Sequence, residues 1–165
     1  MKPFPSPAIG RPRKRQAGVA AIELALLLPV LVLFLTLGYF TVSVFWHYTM
    51  AQKAAQDAAR YLSTVPVAEM LTPGEAKSAG ALAEQIVLRE IADISPASEV
   101  TKIDTYCNVV GNVTTNCGSG AATSNAPSAV RVEFSIVMFD PSGMIDVGWY
   151  GLHITAQHTM RYVGN

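Results

Sequence analysis

From Leu24 to Trp46 the chain runs 23 residues without a charged side chain. A helix needs about 20 apolar residues to cross a bilayer. At 1.5 Å per residue this run reaches about 34 Å, enough to span with some tilt. It predicts one membrane-crossing helix with a modest soluble domain behind it. An ordinary secretory signal has an apolar core of only about 7–15 residues, closed by a small-x-small cleavage site. Here the run ends in Tyr39-Phe40 and Phe45-Trp46-His47-Tyr48, an aromatic cluster suited to a membrane interface.

What precedes the run is equally patterned. Residues 1–12 hold four prolines and no periodicity, and read as a disordered cytoplasmic tail. Arg13-Lys14-Arg15 follows, then Gln16-Ala17-Gly18-Val19-Ala20-Ala21-Ile22-Glu23. Five basic residues and no acid stand before Gly18. After it stand seven Lys and Arg against twelve Asp and Glu, a net of −5. The positive-inside rule then puts the N-terminus in the cytoplasm and the C-terminal domain in the periplasm. A short, proline-interrupted cluster beside a span is not a nucleic-acid patch, so no nucleic-acid partner is expected. Glu23 costs a few kcal/mol at the edge of a membrane helix unless it snorkels or finds a partner. It reads either as an interfacial carboxylate at the cytoplasmic lip or as a buried pairing device.

Along the chain, Pro29 falls inside the span, where it removes a helix hydrogen bond and predicts a local kink. His47 to Ser63 has no Gly or Pro, so the helix should run on past the membrane to about residue 63. Tyr48, Ala51, Ala55, Ala58 and Leu62 share one face, and Lys53–Asp57 is a possible i,i+4 pair. After a connector at 64–72, Thr72-Pro73-Gly74-Glu75 reads as N-cap, first-turn proline and capping-box Glu. The stripe Ala79, Leu82, Ala83, Ile86, Val87, Ile91 and Ile94 predicts a second helix over about 73–94, stopped by Ser95-Pro96. Within 99–163 the period becomes two. Alternation predicts three strands, at 101–109, 130–138 and 152–162, with Asp140-Pro141-Ser142-Gly143 as a turn. Two helices followed by three strands predict an α+β fold, a small antiparallel sheet packed on helix. The implied division is a basic leader at 1–18, a transmembrane helix at 19–46 and a periplasmic α+β domain at 47–165.

Little of the chain suggests reaction chemistry. There is no Gly-x-Ser-x-Gly, no Gly-rich phosphate loop and no His-Glu-x-x-His. No enzyme, cofactor or metal is expected. The three histidines are scattered, and His153 and His158, five apart, fall on opposite faces of one strand. Cys107 and Cys117 are the only cysteines, and outside the cytoplasm a disulfide between them is allowed. Asn112-Val113-Thr114 matches a glycosylation acceptor and is read as loop.

Gly18 with Glu23 five residues later, heading a long apolar helix, is the type IV prepilin cleavage pattern. The block Gly18-Val19-Ala20-Ala21-Ile22-Glu23-Leu24-Ala25-Leu26-Leu27-Leu28-Pro29-Val30-Leu31 resembles the opening of TadE-like minor pseudopilins of the Tad (Flp) pilus, or tight-adherence, system. Gln56-Asp57-Ala58-Ala59-Arg60-Tyr61-Leu62 resembles the Ala-rich stretch that follows in that family. Leu24 stands where the major Flp pilin has Tyr, which favours a minor component. The resemblance implies a pseudopilin-like plan and cleavage between Gly18 and Val19 by a prepilin peptidase. It implies pairing through Glu23 during assembly in the inner membrane. The implied partners are the bilayer, the major Flp pilin, other minor pseudopilins and the inner-membrane assembly platform. The implied function is pilus assembly for surface adhesion and biofilm formation. The residues alone also fit a single-pass anchored periplasmic binding module or accessory domain outside any filament.

Overall fold

The computed structural model describes residues 17–92, 98–111, 113–119, 126–139 and 151–164. The basic leader up to Gln16, the Ser95-Pro96 stop, Asn112 and the turn at Asp140–Gly143 lie outside the described residues. So does Ile94, the last residue of the expected stripe. The chain divides into two compact units, Met1–Gly38 and Tyr39–Asn165. One helix, α1 (Ala17–Thr64), contributes to both.

The second unit is α+β. After α1 come a short helix α2 (Val67–Leu71), a longer helix α3 (Pro73–Ala92) and four strands. The strands are β1 (Ser98–Val110), β2 (Val113–Asn116), β3 (Ala129–Met138) and β4 (Leu152–Arg161), in the spatial order β2-β1-β3-β4. Every neighbouring pair is antiparallel. β1 is irregular, with register shifts between Val100 and Lys102 and between Tyr106 and Asn108. The β3–β4 register runs without a break from Ala129↔Arg161 to Met138↔Leu152.

Small residues set the packing of helix on sheet. Ala51, Ala54, Ala55, Ala58 and Ala59 are completely buried, as is Leu62. Alanine costs no side-chain entropy in a helix and leaves room for close approach. The bulk is supplied from the other side by Phe134, Ile136, Val130 and Val132 of β3, with Met70 and Val87 from the shorter helices. On β3 the even-numbered residues face this core and Arg131, Glu133 and Ser135 do not, as a period of two requires.

Local details depart from the sequence expectations in instructive ways. The 64–72 connector contains α2, which is too short to show a helical period. Thr72 does not cap α3 with its hydroxyl; Oγ1 donates back to the Ala68 carbonyl at 3.0 Å, and the Thr72 carbonyl accepts from Ala76 N–H at 2.9 Å. Lys53 does not turn to Asp57 but reaches Glu90 on α3 at 3.6 Å, because α3 packs beside α1. A fourth strand, β2, lies in what reads as polar loop. Its Val-Thr-Thr-Asn sequence is short, and only pairing with β1 orders it. His47, grouped by sequence with an interfacial aromatic cluster, is buried, whereas Tyr39, Phe45 and Trp46 are exposed.

Past β4 the chain returns to the end of α1. Val163 N–H donates to Ser63 O at 3.0 Å, and the Tyr162 hydroxyl donates to Val65 O at 2.5 Å. The last carbonyls of a helix lack internal partners, and here the C-terminal residues supply one.

Candidate functional site

Among the described residues of the first unit one charged group stands out, a carboxylate at the head of an apolar helix. Gly18 and Val19 lie in the first turn of α1, and Val19 is exposed. Glu23 follows one turn on and is exposed, with no hydrogen bond or ion pair to any described residue. At spacings of four, seven and eleven residues, Leu27, Val30 and Phe34 fall on the face that Glu23 heads. Leu24, Leu27, Leu28, Val30, Leu31 and Phe34 line an open apolar groove of about 420 Å³. Pro29 sits inside the helix at this level. It has no N–H, so the carbonyl of Ala25, four residues back, loses its usual helical donor. The most apolar eighteen-residue window of α1 is wholly uncovered. In water such a surface is untenable, so this stretch suits lipid or the apolar helices of other chains.

In the second unit the structure joins Cys107 and Cys117 in a disulfide, with Cα atoms 4.7 Å apart and ten residues between them in sequence. The bond ties the end of β2 back to β1, and the tied hairpin presses directly on α3. A Cβ placed on Gly80 of α3 would lie 2.9 Å from both Cys117 Cβ and Thr105 Oγ1. Gly118, with φ +81°, approaches the α3 backbone so closely that a Cβ there would lie 2.9 Å from Pro73 O. Only glycine meets both demands at 118. Beside this contact Lys77, Glu84, Asp104 and Asn116 line a polar cleft of about 240 Å³.

Two tyrosines meet the core rim near Glu69. Burial, and then the Glu69 carboxylate, raise the hydroxyl pKa of Tyr61 and of Tyr162 above the ordinary tyrosine value. Lys102 is also raised, through its 2.8 Å contact with Asp104. His47 donates Nδ1–H to Ser43 O at 2.7 Å, while its buried Nε2 has no hydrogen-bond partner among the described residues. His153 and His158 project from opposite faces of β4. Among the described residues no group of three or more His, Cys, Asp or Glu is placed to hold a metal ion. Gly18, Val19 and Glu23 thus share one end of α1, while Cys107 and Cys117 belong to the second unit. Sequence reading missed the glycine contacts of α3 and the burial of His47, since nothing local marks either.

No curated protein and no solved structure matches the chain. Residues 18–60 do match a family. The match opens at Gly18, takes in Glu23 and the whole uncharged run, and ends among the buried alanines. Over that stretch, from the glycine through the apolar run and into the buried alanines, the chain is similar to the family described as TadE-like protein.

Proposed function

We propose that this chain is a minor pilin or pseudopilin that takes part in assembling a Tad-type (Flp) pilus for surface adhesion and biofilm formation. The TadE-like match over residues 18–60, with an unpartnered Glu23 at the head of an uncovered apolar helix, carries the reading. Residues 1–18 form the cytoplasmic leader, 19–46 the inner-membrane span and 47–165 the periplasmic domain. A prepilin peptidase cuts between Gly18 and Val19. The chain acts structurally, not as an enzyme.

The physical driving force comes from Glu23. A carboxylate in the apolar part of a bilayer costs about 2.5–3.5 kcal/mol on insertion scales. Cleavage creates a new amine at Val19, so every processed subunit carries both an amine and, one helical turn away, a carboxylate. When helices pack side by side, the Glu23 carboxylate pairs with the amine of a neighbouring pilin. A charge-assisted hydrogen bond replaces a strained contact with lipid. The groove around Leu24–Phe34 receives the neighbour's apolar side chains, where fit and hydrogen bonding hold helices together in lipid. The partners are the major Flp pilin, other minor pseudopilins and the inner-membrane assembly platform.

The test is the N-terminal sequence of the protein recovered from native membranes, with and without the prepilin peptidase. A mature N-terminus at Val19 that depends on the peptidase is the expected result. An intact leader, or a cut elsewhere, refutes the reading.

A further inference from the structure

We propose that a second copy of this chain docks along the outward face of α3, with the two α3 helices parallel. One face of α3 packs into the core through Ala76, Ala79, Gly80, Ala83, Val87 and Ile91. The opposite face carries Ser78, Ala81, Gln85 and Leu88, all of them exposed. Their spacings of three, four and three are those of a heptad seam, with Ser78 and Gln85 at a and Ala81 and Leu88 at d. A helix face that only meets water carries charged and polar groups. Here the middle of the face carries no charge, and Leu88 and the neighbouring Leu82, at e, are each about half exposed.

The charges lie along the two borders. Lys77 and Glu84 take the g positions, and Glu75 and Arg89 the e positions. Among the described residues the ion pairs are Lys53–Glu90 and Lys102–Asp104, so Glu84 and Arg89 are both unpaired. When two such helices run parallel, each g residue faces the e residue five positions on in the other helix, and e–g charges set partner choice and orientation. Glu84 of each copy then faces Arg89 of the other, giving two ion pairs by symmetry. Lys77 faces Leu82 of the other copy, where its aliphatic stem can cover the leucine while the ammonium stays in water. Gln85 meets Gln85 across the axis, and each amide can both donate and accept. A single polar a position fixes register and oligomer state at some cost in stability.

The occupant is a second copy because one stretch supplies both members of every pair, as an isologous contact requires. Antiparallel packing of the same faces pairs Glu75 with Arg89, but it also sets Glu84 against Glu84 and leaves each Gln85 opposite Ala81. Like charges and unpaired amides therefore select the parallel arrangement. The seam covers only about two heptads, so association is weak and reversible.

Sedimentation of the full chain in detergent micelles, across a concentration series, tests this. The wild-type chain forms a reversible dimer. Glu84→Arg and Arg89→Glu each weaken it by about tenfold, since each turns two attractive pairs into two repulsive ones. The double variant Glu84→Arg with Arg89→Glu restores the wild-type affinity. Near-ultraviolet circular dichroism reports that each variant is folded. Under mild oxidation Leu88→Cys links 88 to 88, with Cys107–Cys117 intact by peptide mapping. A chain that stays monomeric at its highest soluble concentration overturns the proposal. So does a dimer indifferent to both charge reversals, which is what association through the apolar run of α1 would give. A double variant that stays weak, or a Leu88→Cys chain that does not cross-link, overturns the parallel arrangement. The inference goes beyond the pilin reading and does not rest on it: the N-terminus at Val19 and the self-association of α3 are read in separate measurements.

Discussion

Gly74 and Gly80 stand six residues apart on α3, and the same substitution should move stability in opposite directions. Glycine inside a helix costs about 0.8–1.0 kcal/mol relative to alanine. At Gly74 nothing lies within 4 Å of a new Cβ, so Gly74→Ala gains part of that amount, reduced because the position is in the first turn. At Gly80 a Cβ meets Cys117 Cβ and Thr105 Oγ1 at 2.9 Å and Cys117 Sγ at 3.4 Å. Ordinary carbon contacts lie near 3.5–4.0 Å, so the overlap with Cys117 Cβ is more than half an ångström, and the Thr105 hydroxyl oxygen is crowded at the same time. Neither can swing away: Cys117 is held by its disulfide and Thr105 is buried in β1. Overpacking of this kind costs about 1–3 kcal/mol. Set against the propensity gain, Gly80→Ala destabilises by up to about 2 kcal/mol. For a unit of this size that is several degrees in Tm, at about 4 °C per kcal/mol. The assay is thermal unfolding of the full chain in detergent micelles, followed by near-ultraviolet circular dichroism. Adding Cys107→Ala and Cys117→Ala should shrink the Gly80→Ala penalty, a coupling that a double-mutant cycle measures. If Gly80→Ala stabilises as Gly74→Ala does, the disulfide hairpin does not rest on α3 and the packing described above is wrong.

Removing the disulfide itself, by Cys107→Ala with Cys117→Ala, should cost about 2.8 kcal/mol from the loop-entropy relation for a closed loop of about eleven residues, read from denaturant midpoints; no change in midpoint would contradict it. His47→Leu should be neutral or stabilising by about 1 kcal/mol, because it removes a buried nitrogen without a partner; a loss above about 1 kcal/mol would show that Nε2 has a partner in the native protein. Folded-state pKa values raised above the unfolded value at Tyr61 and Tyr162 stabilise the native fold fully below about pH 10, and that stability is lost as pH rises through the folded values. Tyr162→Phe should therefore flatten the alkaline limb of a stability–pH curve and lower the plateau by about 0.5–1.5 kcal/mol for the lost bond to Val65 O. Glu23→Gln keeps the shape but removes the charge, so pili should be lost or sharply reduced while the chain still inserts; wild-type piliation counted by electron microscopy would remove Glu23 from assembly.

Legibility followed the range of the forces. The long N-terminal apolar helix was plain because its signal is written in consecutive residues, Leu24 to Trp46, without a charge. β3 and β4 were plain because each has one buried face, and Val130, Val132, Phe134 and Ile136 spell it out at a period of two. The small-residue face of α1 was visible at Ala51, Ala55 and Ala58, though Ala54 and Ala59 widen it on burial. Tyr48, counted on that face by spacing, is nearly half exposed and lines the cleft at Ile154 instead. What stayed hidden depends on contacts between distant segments. β2 exists only through β1, the Lys53–Glu90 pair only because α3 lies beside α1, and the glycine at 80 only because the hairpin crosses it. Leu82 sits on the periodic stripe of α3 yet is half exposed, facing a groove with Tyr61, Gln85, Ile86 and Arg89.

The two halves of α1 solve opposite problems with one secondary structure. Up to Gly38 its side chains are mostly large, apolar and exposed, and among the described residues of that unit nothing covers them. From Ala51 onward the buried residues are mostly alanine, and the sheet supplies the bulk. A soluble core helix would bury its apolar face within its own chain, and a simple tether would need neither the alanines nor a carboxylate at its head. A helix whose apolar surface is covered at one end and uncovered at the other needs lipid or other apolar helices to complete it. Under the proposed pilin role, Glu23 would distinguish the two: leucine is at home in lipid but a carboxylate there is costly, so a state that pairs Glu23 would be favoured over one that only dissolves the apolar run. That role predicts that the charge of Glu23, and not its size, is the quantity to change.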